Sequence, residues 1–523
     1  MNGEIVMFLN YLINSLLYIN LAIGQMVACR ATDSHQFFAI LHKQDNYLTE
    51  YILRLLFLLG GQNISFDILL NGLEDSIENK KEVALSLIRD LESKNVLRTS
   101  IEDGELFINL LIHGDARKSI SNKYAWQGSI QGAFRLLSQA FNKDWEHLIV
   151  YARENPQIIQ IAENFFSILE ILQEQPEDVL PIQIHLLEYY MYATREHSKA
   201  IELMQKIERS PNFNQLSPEL YALFISNKGN IVSTHFSSKP ELVKIVIKEL
   251  ETSFKIFHEK KNYGEALRIL SCWAQAHIIG GNLEKAISLL RDGESLVTRV
   301  DRDRYKAIYY YVYSWCSLES GEYEKSSYYA NKASSHLHAS IPTPLHFFSR
   351  NLNADALYNL RRYKEAYEVA CRSLKEATDF NSNRAADWKG EALVVMAKCA
   401  LRSKQFSLAE KHINEADIEY FNFFKSSVKH IDQAALKTVK GEILLEKGDL
   451  EAAKVAFEES QKIYSTLLNK DSWFDEQGIL FELLAVLAKK MGDNPSVLYY
   501  WKAHKKQFGA THPRTIRIKA LLA

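Results

Sequence analysis

Proline and glycine are scarce, with 10 and 21 residues in a chain of 523. A turn-rich β protein needs more of both. Cysteine is scarcer still: Cys29, Cys272, Cys316, Cys371 and Cys399. No two of them are close enough for a metal knuckle or a redox pair, and an odd count gives no disulfide framework. They read as small apolar core residues in a reducing compartment. Neither sign of charge is in excess. The formal net charge of −2 argues against a global nucleic-acid surface and leaves only local patches.

Catalytic signatures are missing too. The chain has no Gly-x-x-x-x-Gly-Lys-Ser/Thr, no His-Glu-x-x-His, no Gly-x-Ser-x-Gly and no Gly-rich dinucleotide loop. His336 and His338 lie two apart but lack a third ligand, so a solvated loop is expected there. The carboxylates fall at solvent-face helical spacing, and no pair stands out for acid–base work. No enzyme activity, cofactor or metal is expected.

The apolar stretch IVMFLNYLINSLLYINLAIGQMVAC (5–29) could be taken for a signal peptide or a membrane span. Glu4 precedes it, no Lys or Arg does, and Asn10, Asn14 and Asn20 interrupt it. A signal peptide has a basic start and an unbroken apolar run. Buried amphipathic helices are expected instead, with no membrane partner. A cytoplasmic setting follows, in the producing cell or, for an exported bacterial effector, in a host cytosol.

A chain of 523 residues exceeds one compact core, so several domains or a repeat array must be present. Short turn segments recur: GGNLEKA (280–286), SGEYEKS (320–326), LRRYKEA (360–366), SKQFSLA (403–409) and KGDLEAA (447–453). Their last residues, Ala286, Ser326, Ala366, Ala409 and Ala453, are spaced by 40, 40, 43 and 44. Extrapolation reaches Ala200, Val243 and Val497, giving about eight units of 40–44 residues over 181–523. Twelve residues before six of these positions stand Ala274, Ser314, Ala354, Ala397, Gly441 and Ala485. All are small, as a close helix crossing requires. Ala333, Ser373, Ala416 and Ser460 form a second small series.

This pattern resembles the tetratricopeptide repeat: a small residue midway along helix A, a Gly-Asp-Tyr-like turn, then Ala opening helix B. GEILLEKGDLEAAKVAFEES (441–460) carries it best. The long period resembles the repeats of kinesin light chains and of MalT-like bacterial regulators. HEAT repeats share the period but lack the turn. FGATHPRTIRIKALLA (508–523) is similar to the His-Pro segment that opens a further helix A, with His512 and Pro513 matching. That last helix is expected to cap the array.

Residues 1–180 do not repeat. In 63–112, Leu85, Ile88 and Leu91 give a helix a buried face, and Val96, Leu97, Leu106, Phe107 and Ile108 give two strands around Asp103–Gly104. Helices followed by a hairpin predict a winged helix over 61–120, between a helical segment at 1–60 and a helical connector at 121–180. YINLAIGQMVACRATDSHQFFAIL (18–41) resembles the segment after the Gly-Leu-Pro-Leu-Ala-Leu motif of NB-ARC signal-transduction ATPases (the STAND class). Leu21, Ala22 and Ile23 fit, but Ile19 and Asn20 replace its Leu and Pro. Residues 134–165, with Trp145 and Pro156, resemble the connector to the repeats in those proteins. The nucleotide-binding domain is missing from this pattern. The resemblance implies an all-α protein, a tetratricopeptide right-handed superhelix preceded by a small helical and winged-helix module. It also implies a sensor or scaffold that would otherwise restrain or release an ATPase.

The tetratricopeptide register implies a concave groove lined by Arg268, Gln275, Tyr311, Trp315, Phe348, Asn351, Asp355, Tyr358, Val394, Lys398, Leu401, Thr438 and Glu442. Asn351 resembles the asparagine that grips peptide backbone in kinesin-type arrays, because its amide both donates and accepts. Within YKAIYYYVYSWC (305–316), the register sends Tyr310 and Tyr313 to packing positions and Tyr311 and Trp315 to the groove. The expected ligand is a protein or peptide, with a separate STAND-type ATPase as one candidate partner. One basic patch stands out: Lys502, Lys505, Lys506, Arg514, Arg517 and Lys519. A solvated end is the plain reading; an acidic partner or RNA is the other. Two rival functions remain. In one, a regulator binds DNA through the winged helix, whose Lys80, Lys81, Arg89 and Lys94 are balanced by Glu78, Glu82, Asp90 and Glu92. In the other, a Rap-type sensor responds to a peptide.

Overall fold

A computed structural model describes residues 47–523, apart from 61–63, 74–78, 94–96, 103–104, 111–126, 142–147, 149–150, 153–154, 156, 173–178, 195, 236–238, 338–343, 380–385, 425–430 and 468–474. The 18–41 resemblance, Cys29, Lys94, Asp103–Gly104, Trp145, Pro156 and His338 lie outside the described residues. The rest forms two units: residues up to Tyr189 with Arg209–Asn214, and Tyr190–Glu208 with Gln215–Ala523.

In the first unit, α1 (Tyr47–Leu58) precedes β1 (Ile64–Ser65), α2 (Phe66–Gly72), α3 (Lys80–Ser93), β2 (Leu97–Glu102) and β3 (Glu105–Leu110). The strands pair antiparallel in the order β1-β3-β2, with Thr99 opposite Ile108. Two helices closed by a hairpin make the winged-helix arrangement. Ser65 caps α2 by accepting the Ile68 N–H. Glu92 ties α3 to β2 by accepting both the N–H and the O–H of Thr99, at 2.9 and 2.6 Å. Ala84, Ile88 and Leu91 bury the inner face of α3, and Leu85, expected there, is half-buried. Helices α4 (Gln127–Phe141), α5 (Ile158–Leu172) and α6 (Val179–Glu188) complete the unit.

The second unit is a solenoid of antiparallel helix pairs, preceded by α7 (His197–Glu208). The A helices are α8 (Pro218–His235), α10 (Tyr263–Ile279), α12 (Asp303–Glu319), α14 (Pro344–Asn359), α16 (Ala386–Arg402), α18 (Ile431–Lys447) and α20 (Asp475–Lys490). Their B partners are α9 (Pro240–Glu259), α11 (Leu283–Val297), α13 (Tyr323–Ser335), α15 (Tyr363–Asp379), α17 (Phe406–Phe424), α19 (Leu450–Leu467) and α21 (Asn494–Phe508). Helix α22 (Pro513–Ala520) follows.

The recurring turns have one geometry. Gly281, Gly321, Arg361, Lys404, Gly448 and Gly492 each take positive φ after a helix A. The next N–H closes back over the helix end, as in Asn282 to His277 O at 2.8 Å, Glu322 to Ser317 O at 2.8 Å and Asp493 to Ala488 O at 2.8 Å. This is a left-handed C-cap that satisfies the last carbonyls of helix A. The same residue then starts helix B: the side chains of Asn282 and Asp493 accept the N–H groups of Lys285 and Ser496. The Gly-Asp pattern is therefore a stop signal fused to a start signal.

The small series marks the A–B crossings. Ala274, Ser314, Ala354, Ala397 and Ala485 are fully buried. At Gly441 an added methyl would stand 2.5 Å from the Phe457 ring. Ser314 bridges its crossing by donating to Ser326 O at 2.8 Å. The YKAIYYYVYSWC stretch is helical within α12. Tyr313 stacks on Tyr329 at 4.1 Å, and Tyr310 stacks on Tyr329 and His336. Tyr309, not singled out by the register, is the fully buried ring. Among the described residues, no helix is long and apolar enough to cross a membrane.

Candidate partner-binding site

Successive A helices lie side by side, so one residue per repeat recurs along a shared face. Asp355 of α14 pairs with Lys398 of α16. Arg402, one turn on, pairs with Glu442 of α18 and donates to the Tyr358 hydroxyl at 2.9 Å. Lys398 and Arg402 both lie over the Tyr358 ring. Burial disfavours the Lys398 charge, but Asp355 and the more distant Glu476 and Asp475 outweigh it and raise its pKa. Burial raises Glu442, although Arg402 opposes it.

The same face meets the start of α20. Asp475 is buried, and Glu476 is pushed up to about 7 by burial and by the Asp475 and Asp355 carboxylates. Glu319, at the end of α12, is raised well above the carboxylate range by burial, then by Glu476 and Asp475. Trp315 Nε1–H donates to Glu319 Oε1 at 2.7 Å. The A-helix face thus curls until α12 and α20 share one electrostatic cluster.

The other expected groove residues take several positions. Asn351 is buried, and its amide is committed: it donates to Glu391 at 2.8 Å and to Trp388 O, and it accepts from Ser373 at 2.9 Å. Phe348, half-buried, lies against a tilted Tyr311 ring and edge-on to Trp388. Arg268 is buried against Glu265 in a separate cluster with Tyr305 and Arg304. Gln275 is half-buried. Val394 and Leu401 sit in the α14–α18 apolar core. Thr438 is at a crossing, bonded to Ala434 O and Ser460.

The basic stretch is divided. Lys502, Lys505, Lys506 and Lys519 are exposed. Arg514 is 1% exposed and bonded to Asp475 at 2.6 Å. Arg517 grips both Glu482 oxygens, at 2.6 and 2.8 Å. Of the winged-helix cations, Lys81 and Arg89 are exposed and Lys80 half-buried, beside an exposed Glu82.

The residues that sequence reasoning passed over are Glu319, Arg402, Asp475 and Glu476; Arg514 is expected from sequence in the basic patch and not at this face. Arg402 and Glu319 lie at the ends of long A helices. A face followed at i+4 beyond Lys398 reaches Arg402, whereas counting by three reaches Leu401. That one-residue step is why Leu401 is core and Arg402 is on the face.

The fold is that of a tetratricopeptide-type helical repeat protein. No protein-family model and no curated protein matches the sequence. Among solved structures, a Rap protein complexed with competence and sporulation factor aligns at a TM-score of 0.50 and 14% identity, over 74% of this chain and 99% of that one. A STAND ATPase with a tetratricopeptide repeat sensor from Pyrococcus horikoshii aligns at a TM-score of 0.44 and 15% identity, over 83% of this chain and 65% of that one. NprR in complex with its cognate peptide NprX gives a TM-score of 0.44 and 11% identity, over 67% and 98%. At such identities the likeness to the Rap protein is one of fold.

Proposed function

We propose that this chain is a non-catalytic scaffold or sensor that takes a protein or peptide on the A-helix face of its repeat array. The carrying observation is the polar ladder Asp355, Lys398, Arg402 and Glu442, repeated from one helix A to the next. A buried surface made only for stability would be apolar, since replacing ion pairs by packed apolar groups costs little. A ladder of ion pairs running from one helix A to the next suits an extended backbone with polar side chains. The Rap protein of like fold was crystallised with competence and sporulation factor, which agrees with a peptide ligand. A STAND-type ATPase as the partner, and a cytoplasmic setting, are the finer parts of this reading.

The test is a random peptide display library panned on the full chain and on the Asp355→Ala/Lys398→Ala double variant. Removing both partners keeps the face free of an orphaned charge. Peptides enriched on the wild type should lose binding to the double variant at least tenfold. Equal binding to both, or no enrichment on either, would remove the face from consideration.

A further inference from the structure

Part of the A-helix face is covered by the chain itself. Gly509, at φ +89°, ends α21, and α22 turns back toward helices far earlier in sequence. Arg514 is the anchor. Its Nη2 donates to Asp475 at 2.6 Å and to Asn359 at 2.9 Å, so one guanidinium joins α14, α20 and α22. A second contact lies at the α12–α13 turn. A methyl added at Gly321 would stand 2.6 Å from Pro513 Cδ and 3.1 Å from the His512 ring. The segment is also braced internally. His504 Nδ1 donates to Thr515 Oγ1 at 2.7 Å, and Thr515 donates on to Gly509 O at 2.7 Å.

This closure is not a finished core. Glu319 Oε2 and Asp475 Oδ1 are buried without a hydrogen-bond partner. Each would gain water if the turn and the segment parted. Ile518 and Leu521 pack α22 into an apolar cluster with α20 and α21, and Arg517 pairs with Glu482, whereas the contacts from the segment to α12 and α14 are few and rest on Arg514 and the Gly321 turn.

We propose that segment 509–520 is an intramolecular clasp, which holds the array closed through Arg514 and the Gly321 turn and exposes the A-helix face when it releases. This goes beyond peptide recognition and does not depend on it.

The glycines supply a matched test in the full chain. Gly321 and Gly448 occupy equivalent turns at φ +77° and +86°, but nothing lies within 4 Å of a methyl at Gly448. Gly321→Ala and Gly448→Ala therefore carry the same left-handed strain, and only the first collides with the clasp. Amides of α22 should exchange at least tenfold faster in Gly321→Ala than in Gly448→Ala, with a larger radius of gyration by small-angle scattering. Arg514→Gln should do the same with its helical circular dichroism intact. Equal exchange in the two glycine variants, or an unchanged radius of gyration in Gly321→Ala, would overturn the clasp. The glycine pair decides the matter even if Arg514→Gln loses helicity.

Discussion

The Asp355–Lys398 pair gives the sharpest energetic test. The Lys398 side chain is 7% exposed and that of Asp355 20%. Asp355→Ala leaves a buried ammonium whose nearest ion-pair partner is gone. Breaking a buried pair from one side costs about 3–5 kcal/mol; about 3 is expected, because Asp355 is partly wet and water can enter where it stood. Lys398→Met costs less, about 1–2 kcal/mol, since the stranded carboxylate already reaches solvent. The double variant should lose under about 1 kcal/mol, because no charge is then stranded. The coupling is thus at least about 3 kcal/mol, roughly a hundredfold or more in a local opening constant. Repeats unfold through nearest-neighbour interfaces, so a single melting temperature would blur this. Hydrogen exchange of the α14 and α16 amides resolves it. If the single losses add to the double loss within about 0.5 kcal/mol, the two residues act independently and the ladder carries no energy.

Two other outcomes follow from the same structure. Glu476 has a folded pKa raised to about 7 from an unfolded value near the usual ~4.3. The folded state binds the extra proton between these values, so this stabilisation is complete below about pH 4 and lost as pH rises through about 7. Asp475, Asp355, Glu319 and Lys398 surround it. Glu476→Gln should therefore flatten the pH 5–8 dependence of α20 amide exchange relative to wild type, and an identical dependence would contradict the shift. At the α18–α19 crossing, Gly441→Ala gains about 1 kcal/mol of helix propensity. The new methyl stands 2.5 Å from Phe457, and such overpacking costs about 1–3 kcal/mol. Urea unfolding should show a net loss near 1 kcal/mol that Phe457→Leu in the same chain partly restores.

The repeats were legible because each rests on short-range rules. A small residue twelve positions before the residue that ends a turn is a local signature, and both members of each such pair from 274/286 to 485/497 are buried. The turn is likewise local, since a left-handed residue and a capping side chain lie within three positions. The face was only partly legible. The tetratricopeptide register named Asp355, Lys398 and Glu442, which lie in the ion-pair ladder, together with Val394 and Leu401, which lie in the apolar core. Helices longer than the standard repeat carry the exposed stripe past the last counted position, to Arg402 and Glu319. The closure was illegible for another reason. Arg514 meets Asn359 across 155 residues, and no periodicity relates them. In the sequence Arg514 is one cation among six; in the fold it is buried against a carboxylate while Lys502, Lys505, Lys506 and Lys519 stay in water.

The division of the basic stretch bears on how the array works. A solenoid whose repeats touch only their neighbours has no fixed pitch, and small rotations between units add up along its length. Fixing the pitch takes a contact between distant repeats. Arg514 makes one between α14, α20 and α22, and Glu319, its pKa raised by burial and by the Glu476 and Asp475 carboxylates, adds another. The first holds the curl closed, and the second leaves Glu319 Oε2 and Asp475 Oδ1 buried without a hydrogen-bond partner, which favours opening. A ligand that supplied a donor to Glu319 or Asp475 would act on that balance with a few hydrogen bonds, without disturbing any apolar core. Its apparent affinity would be set by the fraction of open molecules as much as by its own contacts. On the two proposals above, the charged lining of the A-helix face and the clasp would be two sides of one arrangement, in which recognition and shape draw on the same carboxylates.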